Sequence, residues 1–97
     1  MSDTRAYIKF NPQGGHGRQT SLTAAFAPAV PPGATMCVVQ ALTQNVRFTL
    51  DGTTPTAVVG FQIVAGDVER ILPVDTRTTL TFIQEAPSAE LQYQFGD

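Results

Sequence analysis

The stretch 45-NVRFTLD-51 alternates apolar and polar residues without a break, and the same period recurs in 89-AELQYQF-95. Successive side chains of a strand point to opposite faces, so Val46, Phe48 and Leu50 share one face and Arg47 and Thr49 the other. By the same rule Ala89, Leu91, Tyr93 and Phe95 oppose Glu90, Gln92 and Gln94. In 78-TTLTFIQ-84, Leu80 and Phe82 alternate with Thr79 and Thr81. No segment repeats its apolar residues convincingly at the helical period. A chain patterned this way must fold as sheets that each bury one face.

Further strands are expected at 34-ATMCVVQA-41, 57-AVVGFQI-63 and 68-VERILPV-74, with weaker candidates at 5-RAYIKF-10 and 20-TSLTAAF-26. The last of these also reads as a short helix, because Ala-Ala-Phe-Ala is poor in β-formers. Pro73 places its strand at an edge or at a strand end, since proline cannot donate to a ladder. Gly60 in an otherwise apolar run signals a bulge or a close backbone approach. Turn signals punctuate the chain at Pro31-Pro32-Gly33, Asp51-Gly52, Ala65-Gly66-Asp67 and Ala86-Pro87-Ser88. Six to eight short strands so spaced predict an all-β fold: a small antiparallel β-sandwich, jelly-roll or Ig-like, or a small barrel.

With 97 residues, the chain has material for one domain and one thin core, and none for a deep enzyme cleft. Residues 21–97 form that domain in this reading. Residues 1–20 read as an extended N-terminal arm, because 11-NPQGGHGRQT-20 is glycine-rich and nearly devoid of apolar groups. Charged residues are only 14% of the chain, against about 25% in ordinary domains. The polar surface is therefore Thr, Gln and Ser, which suits broad contacts that desolvate little charge. A net charge of −2 with no basic stripe excludes a nucleic-acid partner. No apolar run is long enough for a signal peptide or a membrane span. Cys37, the single cysteine, lies in 36-MCVV-39 and is expected to be a buried small hydrophobe in a protein made in the reducing cytoplasm.

The candidate sites are sparse. Asp51-Gly52 after an alternating strand is a hairpin signal, with Pro55 fixing φ in the connection and Asp51 accepting local N–H bonds. The alternative makes Asp51 a ligand to a cation or a sugar, but no second carboxylate lies near it in sequence. Gly66 and Asp67 mark a second structural turn. Asp67 and Glu69 are expected on one face of a solvated edge, with Arg70 opposite. His16 in Gly14-Gly15-His16-Gly17-Arg18 has no nucleophile or orienting carboxylate in a familiar pattern, and the segment lacks the Lys-Ser/Thr ending of a phosphate loop. Arg5, Tyr7, Lys9, His16 and Arg18 are the candidate partner-binding residues of the arm. Glu85 and Glu90 are expected to face each other across a last hairpin, yet a glycosidase pair needs aromatic walls and the chain has no Trp. No catalytic residue, cofactor site or metal site is expected.

Two resemblances begin at the same stretch. The segment 48-FTLDGTTPT-56 resembles a turn of chitobiase C-terminal-like, fibronectin-III-like modules, which implies a hairpin geometry and no activity. The ordered segments 46-VRFTLDGTTPTAVVGFQIVAGD-67 and 79-TLTFIQEAPSAELQYQFGD-97 resemble small virion proteins of tailed bacteriophages. That resemblance covers about half of the chain and leaves residues 1–45 outside it. It implies a structural, non-enzymatic virion component that decorates or cements a capsid. The partners it implies are the major capsid protein or another virion protein, and further copies of the chain as a dimer or trimer. A tail, connector or fibre-associated component, and a carbohydrate- or receptor-binding module, are the alternatives.

Overall fold

The structure, a computed structural model, describes residues 10–97. Seven strands follow in chain order: β1 (Pro12–Gln19), β2 (Met36–Leu42), β3 (Val46–Thr49), β4 (Phe61–Ile63), β5 (Arg70–Pro73), β6 (Thr81–Gln84) and β7 (Glu90–Gly96). They form a four-stranded sheet in the order β1-β7-β2-β5 and a three-stranded sheet in the order β4-β3-β6, every pair antiparallel. The two sheets enclose one core, and the fold is a small all-β sandwich, as the alternation predicts.

Period two positions that core. Cys37, Val39 and Ala41 of β2, with Leu91 and Phe95 of β7 and Leu72 of β5, point inward from the larger sheet. Val46 and Phe48 of β3, Ile63 of β4 and Phe82 of β6 meet them from the smaller one. Leu22, Leu80 and Pro55 fill the remaining space from the connections. Burying a side chain of this size contributes about 1.5–3 kcal/mol each. Across the smaller sheet, register aligns Phe61, Phe48, Phe82 and Phe26 in one row. The segment around Phe26 adds to the β6 edge through reciprocal backbone bonds of 2.8 Å between Phe26 and Phe82.

The structure departs from the sequence expectations at four places. First, residues 12–19 are not an arm: they are strand β1, paired with β7 from Pro12↔Gly96 to Gln19↔Leu91. A glycine-rich segment holds this place because β7 supplies the ladder and the ring of Tyr93 lies directly over Gly17, where any Cβ would collide with it. Second, the strand expected over 57–63 is confined to Phe61–Ile63, since Val58 and Val59 sit in a turn closed on Thr56. Third, Asp51-Gly52 does not make a two-residue hairpin. The chain from β3 to β4 runs over residues 50–60, with Leu50 bonded to Thr79. Fourth, β6 and β7 lie in different sheets, so Glu85 and Glu90 do not face each other across a hairpin. The stretch 20–26 forms neither helix nor strand apart from the bridge at Phe26. The weak strand candidate at 5–10, and with it Arg5, Tyr7 and Lys9, lies outside the described residues except for Phe10.

Candidate functional site

The outer face of the four-stranded sheet carries a connected set of polar side chains. Its geometry begins with an irregularity: between Gln13↔Phe95 and Gly17↔Tyr93, β1 carries extra residues that β7 does not match. Gly14 takes a φ of 73° there, a conformation that a side chain would oppose. The amide of Gln94 fills the bulge, donating to the carbonyls of Gln13 and Gly14 at 3.2 Å each. The bulge also aims His16 over β7, where its Nε2 lies 2.6 Å from Oε1 of Gln92. Gln92 in turn donates to Glu90 at 2.7 Å, and Glu90 accepts from Arg18 at 3.0 Å. His16, Gln92, Glu90 and Arg18 are thus one continuous chain of polar groups across two strands.

Arg18 and Glu90 compensate each other on this face. The hydrogen bond and charge of Glu90 hold the Arg18 guanidinium more firmly protonated. Hydrogen bonds from Arg18 and then Gln92 lower the Glu90 carboxyl in return. Arg18 is exposed while the Glu90 side chain is mostly covered, and a pair open to water on one side orients side chains more than it stabilises the fold. Beside this chain, His16, Val38, Gln40, Glu69, Gln92 and Gln94 line a shallow cleft of about 160 Å³. The amide of Gln40 is held by the Asp67 carbonyl at 3.1 Å. Amide groups offer both donors and acceptors, so Gln40, Gln92 and Gln94 give the cleft hydrogen-bonding capacity of both kinds, with the Glu69 carboxylate at its wall. Among the described residues, its lining includes no serine, threonine, cysteine or lysine.

The structural turns do what their residues suggest. The Asp51 carboxylate accepts the Thr53 N–H at 3.0 Å, and hydrogen bonding from Thr53 lowers its pKa. Gly52 has a φ of 87°, and Pro55 is fully buried under the connection. Gly66 has a φ of 79° and donates to the Ala41 carbonyl, while Asp67 caps its own turn by accepting the Val68 N–H at 2.9 Å. Asp67, Glu69 and Arg70 are all exposed at this edge. Among the described residues, no group of three or more His, Cys, Asp or Glu is placed to hold a metal ion.

Two features were not foreseen from sequence. On the outer face of the smaller sheet, Arg47 donates to Glu85 at 2.6 Å and to the Gly60 carbonyl at 2.9 Å, and Gln62 donates to the same Glu85 oxygen at 2.8 Å. Burial raises the Glu85 carboxyl, but the bonds from Gln62 and Arg47 and the Arg47 charge outweigh it and leave the group lowered. This clamp ties β4 to β3 and to the end of β6. The other feature is apolar: Val58 is 80% exposed, Val68 65%, Phe61 63%, Val59 46% and Val64 45%, all around β4 and its flanking turns. The sequence signal for it was the run 52–66, which contains no ionisable side chain. Neither a protein-family model, nor a curated protein, nor a solved structure matches the chain.

Proposed function

We propose that the chain is a non-enzymatic structural protein of a tailed-phage particle, which decorates or cements the capsid by adhering across capsomers as a homo-oligomer. The observation that carries this reading is the outer face of the four-stranded sheet. It is pre-organised by side-chain hydrogen bonds and sparing in charge, with Arg18 paired to Glu90, one further carboxylate at Glu69, and Gln40, Gln92 and Gln94 between them. A face of that kind favours a neutral protein surface, because binding strips water from few charges. The resemblance to small virion proteins over 46–67 and 79–97 supports the same reading and names the major capsid protein, or another virion protein, as the partner. Modest contacts suffice on a repeating shell, since copies joined to each other bind it with raised effective concentration.

The test is co-sedimentation of the purified protein with emptied phage heads that lack it, followed by mass analysis of the pellet. Decoration predicts many copies per head, and reduced binding for the double variant His16→Ala, Gln92→Ala. A few copies per head would move the protein to the tail, the connector or a fibre. No particle binding, together with glycan binding lost in the same double variant, would favour the sugar-binding alternative, whose structural footing is the amide-lined cleft beside His16.

A further inference from the structure

A sandwich of two open sheets has four edges, and unpaired edges recruit other strands unless something blunts them. At the β1 edge stand Pro12, the bulge at Gly14 and the Arg18–Glu90 pair. At β5 stand exposed Arg70 and Pro73, the latter with no N–H to offer. The β6 edge is covered by the chain around Leu22 and Phe26, which bonds to Gln84 at 3.1 Å and to Phe82 at 2.8 Å. Only β4 among these described edges is neither charged, interrupted nor covered. It also carries the exposed side chains of Phe61, Val58, Val59 and Val64, with Val68 beyond the next turn.

This bare edge is nevertheless held firmly. Gly60, at a φ of 125°, brings its backbone so close to Phe48 that a Cβ would lie 3.0 Å from the Phe48 carbonyl oxygen. The Arg47–Glu85–Gln62 clamp fixes the opposite face of the same strand. A rigid strand with one free edge loses little entropy when it pairs, which is the condition for strand addition.

We infer that the β4 edge is where a second copy of this chain docks, by antiparallel β4–β4 pairing about a two-fold axis at Gln62. The inference deepens the homo-oligomer of the reading above by giving it a surface. Self-complementarity selects the occupant. A two-fold contact sets the same patch against itself, so a patch carrying charge of one sign would meet its own kind. The run 52–66 carries none, and the bounding acids Asp51 and Asp67 lie on opposite sides of the axis residue, beyond the turns. In this register Phe61 stands opposite the partner's Ile63, so the phenylalanine row of one copy runs on into apolar Ile63 and Val46 of the next. The two three-stranded sheets become one six-stranded sheet with both larger sheets on the same side. Five apolar side chains amount to a few hundred Å², the upper end of what a monomer leaves bare. That falls short of the ~800 Å² per partner of standard interfaces, so the dimer is of the reversible, concentration-dependent class.

The experiment is sedimentation equilibrium of the full chain, without any particle, from low to hundreds of micromolar. A monomer–dimer equilibrium is expected. Phe61→Lys should abolish it while leaving the denaturation midpoint near that of the wild type. Val58→Lys makes the same test at a still more exposed position, should Phe61→Lys perturb folding. Gln62→Cys should form a covalent dimer on mild oxidation, and Gln19→Cys on the far edge should not. A monomer at every concentration, a trimer, or a dimer indifferent to both lysine variants would overturn the inference. So would failure of Gln62→Cys to cross-link. A dimer without affinity for heads would count against the proposed function alone, and a monomer that decorates heads would count against the dimer and the homo-oligomer while leaving decoration standing.

Discussion

Phe82 and Phe61 flank the same residue, Phe48, from the two strands on either side of it, and their fates differ. Phe82 is fully buried, because the chain at Phe26 closes the β6 edge over it. Phe61 keeps its ring centroid 5.5 Å from that of Phe48, yet remains mostly exposed because none of the described residues closes β4. Residue type, strand alternation and cross-strand partner are the same at both ends of the row. What separates them is the next element outward, a tertiary fact that local pattern does not encode. One end of the sandwich is finished by its own chain, and the other is left as a surface.

The sharpest way to break this contrast is truncation at the closed end. Phe82→Ala should lower stability by about 3–5 kcal/mol in urea unfolding, from lost transfer energy and the cavity left behind. Gly60→Ala should cost about 1–3 kcal/mol in the same assay, since it forces a side chain onto a backbone with positive φ against Phe48. A neutral Gly60→Ala would mean that the open edge is not rigidly docked. Phe61→Ala should cost within about 1 kcal/mol, the worth of one partly solvated aromatic contact. If it matched Phe82→Ala, the two ends would be equally closed and the contrast would fail.

The smallest effect concerns the clamp beneath β4. The folded Glu85 carboxyl titrates below its unfolded value of about 4.3. Its stabilisation is therefore present above that pH and lost as pH falls through the folded value. The urea midpoint of the wild type should fall more steeply than that of Glu85→Gln on acidification from about pH 6 to pH 3. Parallel slopes would show that the Arg47–Glu85 contact does not hold the edge.

Where side chains alternated over a buried face, the strand could be read directly, as at Val46 and Phe48 or Leu91 and Phe95. The edge position of Pro73 and the close approach at Gly60 were legible for the same reason: each residue type has one backbone consequence. Strand β1 was not legible, because Gly14, Gly15 and Gly17 have neither period nor β-propensity, and its ladder is lent by β7. The Asp51-Gly52 signal was locally true, since Asp51 does cap a turn, but Leu50 bonds to Thr79 rather than continuing into a tight hairpin. Of the candidate site, His16 and Arg18 were named from sequence, while their partners Gln92 and Glu90 lie more than seventy positions away. The exposed set around Phe61 was visible only as a charge-free run, because exposure depends on which neighbour is missing.

Cys37 sits on the inner face of β2, opposite Phe95 in the ladder, with no exposed surface. Burial pushes its thiol up to about 12, against a smaller lowering by a hydrogen bond from the Gln94 backbone. At neutral pH the buried thiol therefore stays protonated and withholds the thiolate that alkylating reagents attack. Labelling of the native protein must therefore wait for the two sheets to part, and each modified molecule records one such event. The chain thus contains its own clock for opening, readable by mass spectrometry without any introduced probe.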